Sequence, residues 1–411
     1  MLEDLFSLSQ NFLTIYNRQY VRYFIKTHPL PNRFSIIGGQ RGVGKTTAII
    51  QFILRSYPGD LFTPKALYIQ ADHFLVAGQR LYEIAEEFYN LGGELICFDE
   101  IHKYAEWAGE LKSIHDTFPK LKIIASGSSA LEVYRGSHDL SRRAVVYRMF
   151  GMSLREYIEL TTGLELTAFT LEEVVKNHPA LALEITKALE PKKKKILALF
   201  REYLDFGYYP YFFEYKDKRL FYLTLEQNIR TTLEGDLLTI YPSLSGNTIK
   251  KIKKLLAVVA AAVPFTPDLK KIKTLLDIGD ERTLKTYLKY LEDAGVILTV
   301  SAKDRGLRSL AKPEKIYLNN PNLIQALVGS SSMNKGNIRE TFFLNMVQNL
   351  YDVTFPAKGD FQVSNRYIFE VGGPKKTYDQ IRDLPDSYLA VDDLERGIGN
   401  RIPLWLFGFL Y

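Results

Sequence analysis

The chain has 411 residues, 46% hydrophobic and 24% charged, with a formal net charge of +6. At roughly 100–200 residues per domain this is a globular protein of two to four domains, and the mix excludes a chain too polar to fold. The one cysteine, Cys97, excludes an intramolecular disulfide and a multi-cysteine zinc site, and reads as a small buried hydrophobe.

The start, Met-Leu-Glu-Asp-Leu, lacks the basic and apolar regions of a secretory signal. Leu5–Lys26 carries apolar residues at helical spacing, and His28-Pro29-Leu30-Pro31-Asn32 breaks that helix. From there to about residue 150, short apolar runs alternate with helical stretches. The candidate strands are Arg33–Ile37, Ala66–Gln70, Leu95–Phe98, Leu121–Ala125 and Ala144–Phe150. This alternation predicts an α/β fold, a parallel sheet with helices on both faces. Glu156–Tyr241 reads as mostly helical, with Lys192–Lys195 a solvated helix start. The aromatic run Tyr208, Tyr209, Tyr211, Phe212 and Phe213 reads as core rather than as a base-stacking platform.

Helices are next expected at Thr248–Val263, Leu269–Leu276 and Arg282–Asp293, followed by strands at Val296–Val300 and Lys315–Asn319 around a basic loop. Three helices and a β-wing spell a winged helix-turn-helix. The last segment opens with a helix, Ile338–Leu350. It continues with strands near Val353–Phe355, Phe361–Val363, Tyr367–Val371, Tyr388–Val391 and Ile402–Leu406. The longest apolar run, Leu255–Phe265, contains Pro264 and is about half of the roughly 20 residues a membrane helix needs. A cytoplasmic protein without a membrane partner is therefore expected.

The strongest motif is Gly39-Gln40-Arg41-Gly42-Val43-Gly44-Lys45-Thr46, a full match to the phosphate-loop pattern G-x-x-x-x-G-K-[ST] between a strand and a helix. Its glycines let backbone N–H groups turn inward around phosphate, and the helix that follows adds its positive end. Lys45 offers a point charge to the β- and γ-phosphates of ATP, and Thr46 a hydroxyl to Mg²⁺. A second element is Glu94–Glu100, an apolar strand ending in two carboxylates. Asp99 is placed to order Mg²⁺ and Glu100 to polarise the attacking water. A third strand ends in Ser126-Gly127-Ser128-Ser129 and should lie between the first two, with Ser128 the hydroxyl chosen to sense the γ-phosphate. Arg142 and Arg143 are candidates to stabilise transition-state charge, in the same or a second subunit.

At these residues the chain resembles the prokaryotic AAA+ ATPases of the archaeal-ATPase type, P-loop NTPases with an additional strand and a catalytic glutamate. The marks are Thr46-Thr47 in the phosphate loop, Asp99-Glu100-Ile101, Gly127-Ser128-Ser129, and Met152-Ser153-Leu154-Arg155-Glu156-Tyr157 with the usual proline replaced. Tyr203-Leu204-Asp205-Phe206-Gly207-Tyr208-Tyr209-Pro210 continues the likeness. The resemblance implies a P-loop NTPase sheet with a helical lid, a winged helix and a small C-terminal α/β unit like restriction endonucleases. The corresponding boundaries are 1–155, 156–241, 242–330 and 331–411. It also implies ATP binding, and hydrolysis that depends on oligomerisation or a protein partner.

Residues 245–320 hold 15 Lys and Arg against 8 Asp and Glu, so the rest of the chain is near neutral. That excess suggests duplex DNA as a partner, through Arg282, Lys285 and Lys289 on the recognition helix. Lys303, Arg305 and Arg308 on the wing, and Lys250, Lys251, Lys253 and Lys254 on the first helix, would add phosphate contacts. A protein-binding or lid role is the alternative. In the C-terminal unit Glu340, Asp360 and Glu370 follow the nuclease order, but Gly372 stands where that pattern wants lysine. Retained fold with lost chemistry is the expectation, and Lys375 the substitute if chemistry survives. The leading reading is an ATP-hydrolysing switch or remodeller. The alternatives are a nucleotide-gated binding module with negligible turnover, and an ATP-dependent nuclease with a degenerate site.

Overall fold

The computed structural model describes residues 1–127, 140, 142–241, 243–262, 264–302, 313–328 and 334–411. They cluster as Met1–Gly151 with Leu238–Pro242, and as Met152–Leu237 with Ser243–Tyr411. Among the described residues no helix is long and apolar enough to cross a membrane.

The first unit is built on β1 (Phe34–Gly38), β2 (Ala66–Gln70), β3 (Leu95–Asp99), β4 (Lys122–Gly127) and β5 (Val145–Arg148). Their order is β2-β3-β4-β1-β5, and every neighbouring pair is parallel. β1 and β3 are buried along their whole length, which is why both read as unbroken apolar runs. The helices are α1 (Leu2–Ile15), α2 (Tyr23–Thr27), α3 (Lys45–Ser56), α4 (Leu81–Asn90) and α5 (Trp107–Thr117). Leu5, Ile36, Ile84, Phe98 and Leu111 share one core. The crossover places β4 between β3 and β1, as the sequence predicts for a sheet of this kind. All three loops of interest therefore leave from one sheet edge, the carboxyl edge where open α/β sheets bind ligands.

One correction concerns the N-terminal segment. The sequence predicts one helix over Leu5–Lys26, whereas helix is absent between Ile15 and Tyr23. Arg22 is extended there, with φ −60° and ψ 147°. Its guanidinium reaches the carbonyls of Val43 and Phe150, contacts that a continuous helix would forgo.

In the second unit, α6 (Leu154–Thr162) begins with a capping box. Ser153 Oγ accepts from Glu156 N, and Glu156 Oε2 accepts from Ser153 N. The motif stretch Met152–Tyr157 is thus in part a helix-start signal. Then follow α7 (Leu171–Leu189), α8 (Ile196–Glu202) and α9 (Lys218–Thr231). Tyr208 and Tyr209 are buried as expected, but Phe213 is 59% exposed and does not belong to the core. Next come α10 (Gly246–Ala261), α11 (Leu269–Leu275), α12 (Glu281–Asp293), and the antiparallel pair β6 (Ile297–Val300) and β7 (Lys315–Leu318). Phe265 bridges Ile316 antiparallel, extending that pair.

After α13 (Pro321–Val328) and α14 (Lys335–Gln348), a mixed sheet is ordered β12-β11-β10-β9-β8. Its strands are β8 (Val353–Thr354), β9 (Phe361–Val363), β10 (Tyr367–Gly372), β11 (Ser387–Val391) and β12 (Arg401–Pro403). The expected strand at Ile402–Leu406 ends at Pro403, and Leu404–Phe409 is a 3₁₀ turn instead. All six of its residues are buried, so no alternation marks one face of a strand.

Candidate functional site

The phosphate loop runs from the end of β1 into α3. Gly42 and Gly44 have φ of 84° and 98°, a left-handed backbone that side chains resist. Gly44 caps α3, so the first N–H groups of that helix face the loop's concave side. Lys45 is 4% exposed, and its Nζ donates to Gly39 O and Gln40 O, both at 3.0 Å. Val43 is buried, and its carbonyl accepts from Arg22 Nη1 at 2.5 Å. Arg41, Thr46 and Thr47 are half-buried.

The second half of the site is Asp99, at the tip of β3 and 1% exposed. Its Oδ2 accepts from Thr46 Oγ1 at 2.5 Å and from Tyr68 OH at 2.7 Å. Its Oδ1 accepts from Ser126 Oγ and, at 3.1 Å, from Glu100 N. Thr46 and Asp99 are 53 residues apart, and the sheet alone brings them together. A hydroxyl and a carboxylate side by side form an all-oxygen donor set. That suits Mg²⁺, which takes one or two protein oxygens and leaves the rest to phosphate and water. Among the described residues no group of three or more His, Cys, Asp or Glu could hold a metal by itself, consistent with this sparse arrangement.

Glu100 follows with φ 52°, a left-handed conformation uncommon outside glycine. Its N–H also reaches Ser126 Oγ at 3.3 Å. Its Oε2 is buried with no hydrogen-bond partner, 3.6 Å from His102 Nε2. A carboxylate oxygen left in this way keeps an unused acceptor. Cys97, next but one before Asp99, is buried, and burial pushes its thiol up, so it packs as a hydrophobe.

Sequence reasoning missed Ser126, Tyr68 and Arg22 at this site. Ser128, the hydroxyl chosen from sequence, lies outside the described residues, and Ser126 makes the contact with Asp99. The register signals this: Phe98 pairs with Ala125, so the next residue of each strand is Asp99 and Ser126.

Arg142 and Arg143 require correction. β5 is parallel to β1, with Ser35 opposite Val145 and Gly38 opposite Arg148. Residues before Val145 thus lie at the amino edge of the sheet, while the phosphate loop leaves the carboxyl edge. Four strand residues separate the edges by roughly 13 Å. Arg143 instead forms a bidentate pair with Asp116 at 2.7 and 2.8 Å, which holds that carboxyl well below its usual range. Arg142 is exposed at the same edge.

Several lysines of the basic region are paired with carboxylates. Lys289 pairs with Asp293 at 2.8 Å and Glu292 at 3.5 Å, Lys251 with Asp277 at 3.6 Å, and Lys253 with Glu234. Arg282, Lys250 and Lys254 are exposed, and Lys285 is half-buried. Lys303, Arg305 and Arg308 lie outside the described residues.

In the C-terminal sheet the expected carboxylates do converge. Lys315 Nζ lies 3.5 Å from Glu340 and 3.3 Å from Asp360, Tyr317 OH donates to Glu340 at 2.7 Å, and Lys376 Nζ is 2.5 Å from Glu370. The substitute lysine is therefore Lys376, not Lys375, which is exposed. A Cβ at position 372 would meet Lys376 Cβ and Cγ at 2.7 Å. The glycine makes the room through which Lys376 reaches Glu370.

Comparison with known proteins places these features. An AAA domain family matches residues 31–158, and a domain of unknown function, DUF8612, matches residues 197–334. The uncharacterized protein MJ1637 of Methanocaldococcus jannaschii is 26% identical over 301 residues, 68% of this chain, and the match spans 59% of that relative's length. Among solved structures, the Walker-type ATPase PABY2304 of Pyrococcus abyssi aligns with a TM-score of 0.42 at 13% identity, covering 74% of this chain and 94% of that one. AMPPCP-bound DnaA from Aquifex aeolicus aligns at 0.28 and 13%, covering 66% and 87%. The family match and the Thr46–Asp99 geometry agree: residues 31–158 are similar to an AAA domain, and the loop and carboxylate they bring together suit a P-loop nucleotide site.

Proposed function

We propose that the chain is a Mg²⁺-dependent ATPase that works as a switch or remodeller. The observation that carries this reading is the Asp99 carboxylate, buried against Thr46 and followed at the same sheet edge by Glu100, whose Oε2 has no hydrogen-bond partner. Lys45 leaves the loop carbonyls for the β- and γ-phosphates, and the loop N–H groups hold the remaining phosphate oxygens. Thr46 and Asp99 are the residues that would hold Mg²⁺, and the ion supplies charge neutralisation across the phosphates. Glu100 accepts a proton from the attacking water. The hydroxyl of Ser126 lies on β4 beside Asp99, and Ser128, two residues further along the chain, is the residue proposed to sense the γ-phosphate.

The place of Arg142 and Arg143 supports a second copy as partner. From the amino edge an arginine serves a nucleotide only when offered to another chain, so turnover would rise with association. The winged-helix reading of residues 242–330 rests on three helices followed by an antiparallel pair. Duplex DNA is its proposed partner through Arg282 and Lys285, while Lys289, Lys251 and Lys253 are spent on carboxylates. For the C-terminal unit, two lysines set against three carboxylates favour a retained nuclease-like fold without chemistry.

The test is phosphate release with Mg²⁺-ATP, with and without duplex DNA, and with Glu100→Gln as background. The variant should bind ATP as before and release no phosphate. Unchanged turnover removes Glu100 from its role, and stimulation by DNA joins the basic region to the nucleotide site.

A further inference from the structure

One group at the site is not used by the reading above. Tyr68 sits on β2, paired with Cys97 of β3, and is 1% exposed. Its hydroxyl donates to Asp99 Oδ2, the same oxygen that accepts from Thr46. The residue is anchored at both ends. Its backbone N–H donates to Ser9 Oγ on α1 at 3.0 Å, and its ring lies 5.1 Å from that of Phe12 on the same helix.

An aspartate's terminal torsion is broad and two-fold, so a carboxylate needs fixed donors to hold one orientation. On Oδ1 those donors are Ser126 and Glu100 N; on Oδ2 they are Thr46 and Tyr68. Thr46 is itself offered to the cation. Among the described residues, Tyr68 is then the donor to Oδ2 that has no part of its own in holding the cation. We propose that Tyr68 is a positioning residue that fixes Asp99 for the divalent cation of bound nucleotide, braced by α1. The proposal rests on the reading of the phosphate loop as a nucleotide site.

Tyr68→Phe is the clean variant, because it keeps the ring packing on Phe12 and the backbone bond to Ser9. Two titrations read it. The first is a fluorescent ATP analogue in EDTA, with Lys45→Ala as control. The second is Mn²⁺, followed by its EPR signal, into protein saturated with β,γ-methylene-ATP. Metal-free nucleotide affinity should stay within twofold of wild type. Mn²⁺ affinity should fall about tenfold, the worth of one hydrogen bond to a charged group. Unchanged Mn²⁺ affinity overturns the proposal. An equal loss in both titrations marks a folding role and also overturns it. If wild type and Lys45→Ala bind the analogue equally poorly in EDTA, the nucleotide reading itself falls, and the proposal with it. Should Tyr68→Phe fold poorly, Ser9→Ala loosens the brace from outside the site, and a selective Mn²⁺ loss of a few-fold is expected there; no loss overturns the role of α1.

Discussion

Arg22 offers the sharpest test of how this fold holds its phosphate loop. It is 3% exposed, and it donates from Nη1 to Val43 O at 2.5 Å and from Nη2 to Phe150 O at 3.0 Å. Val43 lies between the two left-handed glycines, so this contact grips the loop at its most bent point. Arg22→Ala removes two charge-assisted bonds, each worth about 1.5–3 kcal/mol, and recovers part of that by no longer burying a cation. The net loss is about 3 kcal/mol, a fall in Tm of roughly 6–12 °C for a unit of this size. A loosened loop must also be ordered on binding, which should weaken ATP about tenfold, or about 1.4 kcal/mol. Arg22→Lys presents one point charge and should recover about half of the stability. Thermal melts, paired with anisotropy of a fluorescent ATP analogue, read both quantities. A lowered Tm with unchanged affinity would mean that Arg22 packs the unit but does not shape the loop. No change in either would refute the argument outright.

The remaining predictions probe charges away from the nucleotide. Arg143→Ala should leave ATP affinity unchanged, because the residue lies at the opposite sheet edge on Asp116. Its turnover should drop only at protein concentrations where copies associate; a loss independent of concentration sinks the two-copy reading. Lys315→Met strips the counter-charge from Glu340 and Asp360, both mostly buried. Burial first, then Asp360, already raises the Glu340 carboxyl, so its contribution to stability is present below the ordinary carboxylate range and lost as pH rises through the folded value. The variant should therefore lose about 1–3 kcal/mol at pH 8 and less at pH 5, read by urea denaturation; equal losses at both would exclude the ion pair as the cause. Gly372→Ala should dislodge Lys376 from Glu370, which is 4% exposed, and cost about 2 kcal/mol. Combined with Lys376→Met it should add little more, so an additive double-mutant cycle would break the link between glycine and lysine.

The parts legible in the sequence are those fixed by period and local chemistry. Four of the five parallel strands, β1 to β4, showed as apolar runs because burial on both faces leaves no polar alternation to confuse with a helix. The loop Gly39–Thr46 and the pair Asp99-Glu100 were readable because phosphate and a hard cation demand those residue types at that spacing. Contacts made across the sheet were harder. Tyr68 and Ser126 meet Asp99 only through strand register, and Arg22 meets Val43 only because the predicted helix stops short of it. Arg142 and Arg143 were misplaced for a related reason. Their type suits a transition state, but the direction of β5 decides which edge they occupy, and residue type says nothing of that.

The C-terminal unit carries the same lesson further. A spacing rule asks for lysine two residues after Glu370 and finds Gly372. The physical requirement is an ammonium beside the carboxylate, and a backbone four residues further on can meet it if the intervening position is small. Gly372 leaves that volume open, and the Lys376 alkyl chain lies across it to bring Nζ to Glu370. Whether such a cluster does chemistry turns on compensation more than on the presence of lysine. Glu340 and Asp360 already face Lys315, and Glu370 already faces Lys376. An incoming cation would have to displace Lys315 and meet its charge at close range. That cost is what sets this cluster apart from Asp99, whose partners are hydroxyls and an amide and carry no charge to displace.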